Sequence, residues 1–185
     1  MFCTSRTAIS VAEPEIHAYS GAGLIITNGT LLLCGYEPHK RKPAIYGIGG
    51  KRESTDTTYR ETAFREAMEE LLGLRIIPPR ILRTLMNRRP HYIENYQGYI
   101  MLCYSFEDLE WFLGRLRGLR TPFYDRMPRS LAELLLNRRV EISTEMTHLC
   151  MVPVVSPTPT ISRDLSSDID RIFVRVRRPE IVRPE

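Results

Sequence analysis

The stretch from Gly49 to Leu74 constrains this chain most strongly, because it combines a glycine turn, a polar loop and one amphipathic helix. Thr58 followed by Glu61 has the spacing of a capping box, which predicts a helix that begins at about Tyr59. Gly73 suits the left-handed residue that follows a helix, so the helix should end there. The apolar residues between these limits recur at helical spacing and predict a face that packs on a core. They are Ala63, Phe64, Ala67, Met68, Leu71 and Leu72.

The opposite face of the predicted helix carries Glu66, Glu69 and Glu70, spaced so that all three lie within one turn. Like charges at this spacing cost a helix roughly a few tenths of a kcal/mol per pair. One interpretation is a solvated polar face. The other is a site for a hard cation, since carboxylate oxygens are the ligands that Mg²⁺ and Mn²⁺ take. The helix by itself leaves both interpretations open.

The segment around these glutamates resembles the signature of the Nudix hydrolases. That signature runs Gly, five residues, Glu, seven residues, Arg-Glu, an apolar residue, any residue, Glu-Glu, any residue, Gly and an apolar residue. The core from Arg65 to Glu70 matches it position for position. The two ends depart from it. The first acid is Asp56, eight residues before Arg65, and two leucines precede Gly73. These departures leave the role of Asp56 open.

The resemblance implies a fold and an activity. Nudix proteins are α/β/α sandwiches built on a mixed sheet. They use Mg²⁺ or Mn²⁺ to hydrolyse a pyrophosphate bond in a nucleoside diphosphate linked to another group. We therefore expect an α/β fold with a mixed sheet, a divalent cation as cofactor and a nucleotide as substrate.

The resemblance also implies roles for single residues. We expect Glu70 to act as the base or to orient the attacking water, and Arg65 to brace the loop by pairing with an acid such as Asp56. In some Nudix enzymes the base lies on a later loop, for which Glu145 and Glu141 are candidates and Glu94 is a weaker one. The predicted catalytic residues are Arg65, Glu66, Glu70 and Glu145. The predicted metal ligands are Gly50, Glu66, Glu69 and Glu70.

The composition indicates an ordinary globular protein, with 43% hydrophobic and 26% charged residues. Its length of 185 residues favours one domain over 1–185. The N-terminal residues lack the apolar core of a signal peptide, and no apolar run is long enough to span a membrane. The four cysteines are widely spaced and contain no C-x-x-C pair, which favours a reducing compartment. We expect a cytoplasmic or nuclear protein that is not secreted and has no membrane partner.

The remaining patterns predict mostly strands. Asn28-Gly29 between two apolar runs predicts a hairpin with a type I′ turn. A short strand over 44–48 should deliver the chain to the glycine turn. Further strands are predicted over 74–77, 81–86, 92–104 and 140–154, of which 92–104 should be central.

Three serines predict helix starts in the second half of the chain. Ser105 and Ser130 each precede an acid by three residues, and Ser162 opens the last helical pattern. The first two helices form an insertion over about 105–139. We expect this insertion to serve packing or a homodimer contact rather than to form a substrate lid or an RNA clamp. A basic tail follows from about 174 to 185.

The charge pattern suggests a phosphate-bearing partner without identifying it. The net charge is +4, and all but three of the 26 basic residues are arginine, which binds phosphate with a planar fork. The arginine richness, a basic loop over 39–43 and the helical insertion are consistent with RNA. Pro90, sixteen residues beyond Leu74, resembles a marker of ADP-ribose hydrolases. Ile48-Gly49-Gly50 stands where messenger-RNA decapping enzymes usually carry Pro-Lys-Gly or a similar triplet.

These signals favour a small nucleotide substrate, either ADP-ribose-like or a dinucleoside polyphosphate. The alternative is a decapping enzyme that binds capped RNA and releases methylated guanosine diphosphate. A third alternative is a nucleotide-binding or regulatory module without turnover.

Overall fold

The computed structural model describes residues 18–140, 144–155 and 160–174. These contain seven strands, five α-helices and a final π-helical turn. In chain order they are β1 (Gly21–Ile26), β2 (Leu31–Glu37), β3 (Ala44–Tyr46), β4 (Ile48–Lys51), α1 (Tyr59–Leu72), α2 (Pro79–Met86), β5 (Tyr92–Tyr96), β6 (Tyr99–Tyr104), α3 (Phe106–Arg115), α4 (Leu131–Leu136), β7 (His148–Pro153), α5 (Arg163–Ile169) and the turn Asp170–Val174.

The strands form two sheets. The larger has the order β4-β1-β6-β5, and it is mixed because β1 runs parallel to β6 and antiparallel to β4. The smaller sheet is antiparallel with the order β3-β2-β7. All six residues of β1 are buried, which is typical of a strand paired on both edges and covered on both faces.

Helices cover the sheets on both sides. Leu24 and Ile26 of β1 pack into a core with α1, α2, α3 and α4. Ile25, on the opposite face of β1, packs into a second core with Leu165 and Ile169 of α5. The predicted fold class, an α/β/α arrangement on a mixed sheet, is confirmed.

Helix α1 has the limits that its sequence predicts. The Thr58 hydroxyl accepts a hydrogen bond from the Glu61 amide at 3.2 Å, and Gly73 ends the helix with φ of 68°. The Glu61 carboxylate accepts from Thr57 rather than from the Thr58 amide expected of a full capping box. The six predicted apolar residues are buried, each at most 1% exposed. The helix therefore packs on the sheet by that face and leaves its glutamates toward the surface.

The predicted hairpin at Asn28-Gly29 is wrong. Strands β1 and β2 enter different sheets and share one isolated bridge, between Thr27 and Leu32. Asn28 does not take the positive φ that a type I′ turn needs. Its carboxamide oxygen instead accepts hydrogen bonds from the amides of Thr30 and Leu31. Over Gly21–Leu24 both edges of β1 are paired, with β4 and with β6, so β2 does not extend along β1 as a hairpin partner.

The single strand predicted over 92–104 is a hairpin. Strands β5 and β6 pair across Gln97 and Gly98, which both have positive φ, 48° and 83°. Strand β6 is central, as expected for this run, and β5 lies at the sheet edge. The predicted strand over 44–48 divides at Gly47 into β3 and β4, which belong to different sheets.

The strand predicted over 81–86 is a helix, α2. Pro79 suits the first helical position, because an amide proton at that position would have no acceptor within the helix and its absence costs no hydrogen bond. Ile81, Leu82 and Leu85 then lie on one helical side and pack against the main core. The segment 74–77 forms no strand. Short apolar runs do not distinguish a strand from a helix, and packing against α1 and α3 decided for the helix.

The predicted helices of the second half are present. The hydroxyls of Ser105, Ser130 and Ser162 cap α3, α4 and α5. The strand expected over 140–154 begins only at His148. Residues 1–17, 141–143 and nearly all of the predicted basic tail lie outside the described residues. Within the described part of the chain, no helix is long and apolar enough to cross a membrane.

Replacing Gly73 by alanine should destabilise the fold. An added Cβ would lie 2.5 Å from Pro122 Cγ, and the left-handed backbone costs an L-residue about 1–2 kcal/mol. Gly114→Ala is the matched control. Nothing lies within 4 Å of its added Cβ, and alanine in helix α3 should raise the free energy of unfolding by about 0.5–1 kcal/mol. Urea denaturation measures both, and equal effects would contradict the capping role of Gly73.

Candidate active site

A buried ion pair braces the loop that precedes α1. Asp56 is 3% exposed and accepts hydrogen bonds from Arg65 Nε at 3.1 Å and Nη2 at 2.9 Å. Its second carboxylate oxygen also accepts from the Glu53 amide and the Thr62 hydroxyl. The pairing of Arg65 with Asp56 that the sequence suggests is therefore present.

These contacts decide the ionisation of Asp56. Burial alone would raise the pKa of the carboxyl, but the hydrogen bonds from Arg65, the Glu53 amide and Thr62 outweigh it. The pKa of Asp56 therefore lies below its ordinary value, and the carboxylate stays charged.

Arg65 connects three parts of the site. Besides Asp56 it donates to the carbonyl of Lys51 in β4 at 2.9 Å. Its Nη1 lies 3.0 Å from Oε1 of Glu66 and 3.5 Å from Oε1 of Glu53. One guanidinium thus ties the loop and β4 to the helix that carries the glutamates.

The glycine turn lies directly against the glutamates of α1. The Gly49 amide donates to Oε2 of Glu70 at 2.8 Å, and Gly49 has φ of 146°. A Cβ added to Gly50 would lie 2.4 Å from Cδ of Glu66. A side chain at residue 50 would therefore occupy the space of the Glu66 carboxylate, which explains why glycine stands there.

The predicted site residues line one cleft of about 960 Å³. Glu66, Glu69 and Glu70 do not converge on one point within it. Glu66 pairs with Arg65, Glu69 with Arg75 Nε at 3.3 Å, and Glu70 with the Gly49 amide. Accordingly, the described residues contain no ready group of three or more metal-ligating side chains.

The cleft nevertheless concentrates negative charge. Burial raises the pKa of Glu70 well above its ordinary value; the Gly49 amide opposes this rise, whereas Glu37, Glu66 and Glu145 add to it. Burial also raises the pKa of Glu66, against Arg65 and with the help of Glu69 and Glu53. A cation would relieve this repulsion, and an all-oxygen donor set is what Mg²⁺ or Mn²⁺ prefers. The chemistry of these residues therefore fits a hard divalent cation.

Glu37 belongs to this charged group, although the sequence reading missed it. It ends strand β2, is 3% exposed and has Oε2 2.9 Å from the Nζ of Lys40. The available signal was an acid that ends an apolar strand three residues before a lysine. Such a signal is weak, because acids often end strands at the surface.

The candidates for a base outside α1 lie in different places. Glu145 lines the cleft, is exposed and interacts electrostatically with Glu70 and Lys40. Glu94 lies in β5, is buried and lines a different cavity, where it accepts from the Tyr92 hydroxyl. Glu141 lies outside the described residues. Of these acids, the structure places Glu145 beside the predicted site.

A second cavity, of about 660 Å³, adjoins the cleft. Gly49, Gly50, Lys40 and Lys51 line both. The second cavity adds aromatic and charged side chains from β3, the β5–β6 hairpin, α5 and the turn Asp170–Val174. They include Tyr46, Tyr96, Tyr99, Asp168 and Arg171.

The charged residues of the second cavity are partly shielded from water. Arg171 stacks on the ring of Tyr96. Burial raises the pKa of Asp168 to about 6, although Arg171 opposes the rise. The cavity thus offers aromatic surface together with groups that donate and accept hydrogen bonds.

Comparisons with known proteins give distant structural matches. The sequence matches no protein-family model and no curated protein. Among solved structures it is similar to the E. coli ORF135 protein, at 13% identity and a TM-score of 0.41, with 88% of this chain and 93% of that chain covered.

Two further solved structures carry descriptive names. A bifunctional NMN adenylyltransferase/ADP ribose pyrophosphatase from Francisella tularensis, complexed with AMP and a Mn ion, is 12% identical with a TM-score of 0.39; the match covers 85% of this chain and 38% of that one. A hydrolase of the Nudix family from Clostridium perfringens is 15% identical with a TM-score of 0.37, covering 85% and 99%. Because all three TM-scores lie below 0.5, these likenesses establish neither the family nor the activity of this chain.

The Asp56→Asn variant should lose stability in a way that depends on pH. Removing the charge takes from Arg65 its most buried acid partner and leaves it Glu66 and Glu53, so the loss should be that of hydrogen bonds to a charged group, about 1.5–3 kcal/mol. Because the folded pKa of Asp56 lies below its ordinary 3.8, its contribution is fully present above that pH and is lost as the pH falls through the folded value. The difference between wild type and variant should therefore shrink on acidification below about pH 4.

Urea denaturation between pH 7 and pH 3 measures this difference. Asp125→Asn is the control, because Asp125 is 79% exposed and pairs with an exposed Arg139. The control should change the free energy of unfolding by less than about 1 kcal/mol. Matching losses in the two variants at neutral pH would rule out the bracing role of Asp56.

Proposed function

We propose that this protein is a Nudix-type hydrolase that uses Mg²⁺ or Mn²⁺ to cleave a pyrophosphate bond in a small nucleoside diphosphate derivative. One observation carries the proposal. The carboxylate-lined cleft of α1 shares Lys40, Gly49, Gly50 and Lys51 with a second cavity lined by tyrosines. A diphosphate in the first space and a nucleoside in the second would use both. The match of Arg65–Glu70 to the Nudix signature supports the same reaction.

The walls of the cleft suit a diphosphate in spite of the acids. Lys40, Lys51 and Arg75 line it together with the glutamates. Cations of both kinds, basic side chains and a bound metal, would offset the charge of the phosphate oxygens. Lys40 and Lys51 also line the second cavity, so they lie where a nucleotide would pass from one space to the other.

The residues that would hold the cation are Gly50, through its carbonyl, and Glu66, Glu69 and Glu70. Binding requires the glutamates to exchange their present partners, Arg65, Arg75 and the Gly49 amide. When bound, a divalent cation neutralises charge on the phosphate oxygens and acts as a Lewis acid.

Glu70 is our first choice for the group that takes the proton from the attacking water. Water attacks one phosphorus atom, the bridging P–O bond breaks, and the proton passes to the carboxylate. A half-buried glutamate whose pKa lies above its ordinary value is suited to this transfer. Glu145, which also lines the cleft, is the second choice. Glu66 and Arg65 contribute by holding the cation and the loop.

The second cavity supports a small nucleotide over a long RNA. Tyr46, Tyr96 and Tyr99 line it, and Arg171 over the Tyr96 ring presents a planar guanidinium on which a base can stack. At about 660 Å³ the space is within the usual range for small-molecule sites. ADP-ribose-like molecules and dinucleoside polyphosphates carry a second group beyond the diphosphate, which would lie in the larger cleft.

Glu70→Gln should lower kcat by at least about 100-fold, the usual contribution of a general base, while the protein stays folded. Glu107→Gln is the matched control, because Glu107 is an exposed glutamate of α3 outside both cavities. Steady-state kinetics with Mg²⁺ and with Mn²⁺ measures the effect, and circular dichroism checks the fold. A fully active Glu70→Gln variant would show that Glu70 does not act as the base.

A substrate panel should show turnover of small nucleotides. ADP-ribose and a dinucleoside polyphosphate, each with Mg²⁺ or Mn²⁺, should yield a nucleoside monophosphate, detected by chromatography. Capped RNA on the same panel tests the decapping alternative, whose product is methylated guanosine diphosphate. Absence of turnover on every member would favour a binding module. The Glu70→Gln protein serves as the blank for contaminating hydrolases.

A further inference from the structure

The insertion between β6 and β7 ends against the carboxyl end of α1. The last carbonyls of a helix lack partners within the helix. Here the Leu72 carbonyl accepts from the Thr121 hydroxyl, and the Leu71 carbonyl accepts from Arg138 Nη1 at 2.8 Å. Both donors come from the insertion, far away in sequence. The insertion therefore caps the helix that carries Glu69 and Glu70.

Arg138 makes a second contact that Thr121 does not make. Its Nη2 donates to the Met146 carbonyl at 2.7 Å. Met146 follows Glu145, an exposed acid that lines the cleft. The same guanidinium stacks on Phe123, with Cζ 4.3 Å from the ring centroid, and Phe123 also lines the cleft. One side chain thus joins the carboxyl end of α1 to the 144–146 segment, and residues of both line the cleft.

The environment of Arg138 keeps this bridge charged. The side chain is half-buried, and its Nε is buried with no acceptor among the described residues. Burial lowers the pKa of Arg138, while Tyr124 and Glu70 oppose the change. An arginine remains protonated under these conditions, so it keeps donating to both carbonyls. Its electrostatic interaction with Glu70 places this charge near the candidate base.

We propose that Arg138 is a positioning residue that fixes Glu145 relative to Glu69 and Glu70. It does not touch the reacting atoms; it sets the distance between the helix end and the 144–146 segment. This inference rests on the proposed hydrolase function. The competing explanation is that Thr147, whose amide donates to the Tyr36 carbonyl at 3.0 Å, holds the segment without help.

Kinetics of two variants separates the two explanations. Arg138→Gln should lower kcat about 10–100-fold with KM changed less than about threefold, because a shift of about 1 Å in reacting groups costs up to 100-fold. Thr121→Val removes the neighbouring helix cap without touching the 144–146 segment. It should lower the thermal midpoint while kcat stays within about twofold of wild type.

Two further variants control for charge. Arg139→Gln removes an exposed arginine one residue away and should change neither kcat nor the thermal midpoint. Arg138→Lys should retain little more kcat than Arg138→Gln, because a single ammonium cannot replace the guanidinium fork that donates to two carbonyls. If Arg138→Gln leaves kcat unchanged, or loses no more activity than Thr121→Val at a similar loss of stability, the positioning role is wrong.

Amide hydrogen exchange tests the bridge without any substrate. In Arg138→Gln the amides of 145–147 should exchange faster, together with those of 73–74. In Thr121→Val the amides of 73–74 and that of Phe123, which donates to the Thr121 hydroxyl at 3.1 Å, should exchange faster, and those of 145–147 should not. If wild type turns over no member of the substrate panel, the proposed function fails. The exchange result still shows whether Arg138 holds the 144–146 segment against the end of α1. Unchanged exchange at 145–147 in Arg138→Gln would show that Arg138 does not hold this segment in place.

Discussion

The buried pair between Asp56 and Arg65 is the interaction on which the rest of the site depends. It connects the loop before α1 to the helix, and the same guanidinium reaches the Lys51 carbonyl and Glu66. Neither partner can be removed alone without leaving a charge in a poorly solvated place. The loop, β4 and the charged face of α1 are therefore held in one arrangement, and the glycine turn stays beside the glutamates.

The cleft brings several carboxylates together, and the neighbouring hydrogen-bond donors and basic side chains offset their negative charge only in part. Glu70 receives one hydrogen bond, from the Gly49 amide, while Glu37, Glu66 and Glu145 all act against its ionisation. Arrangements that weaken the folded state in this way are typical of functional sites. The arginine of the ion pair, the bridging Arg138 and the packing of α1 on the sheet hold these charges together. The proposed divalent cation would neutralise the remaining negative charge of these carboxylates.

Local patterns predicted the helices α1, α3, α4 and α5 but not α2, and they predicted the strand pairing poorly. Caps at Thr58, Ser105, Ser130 and Ser162 act within three residues of the helix they start, so the sequence alone specifies them. Pairing depends on which edges are free. The Asn28-Gly29 turn does not make a hairpin, since β4 and β6 pair with both edges over most of β1. The segment Pro79–Met86 forms a helix, whose apolar side packs against α1 and α3.

The sequence by itself determined the core of the candidate site. The spacing of Glu66, Glu69 and Glu70 on a capped helix, the glycines before it and the acid that pairs with Arg65 all follow from residues close together in the chain. Only the tertiary structure decided which distant groups join them, among them Glu37, Lys40 and Arg138. Those contacts bridge long sequence separations, and their formation depends on how the sheets and the insertion pack. Sequence spacing carries no information about such packing.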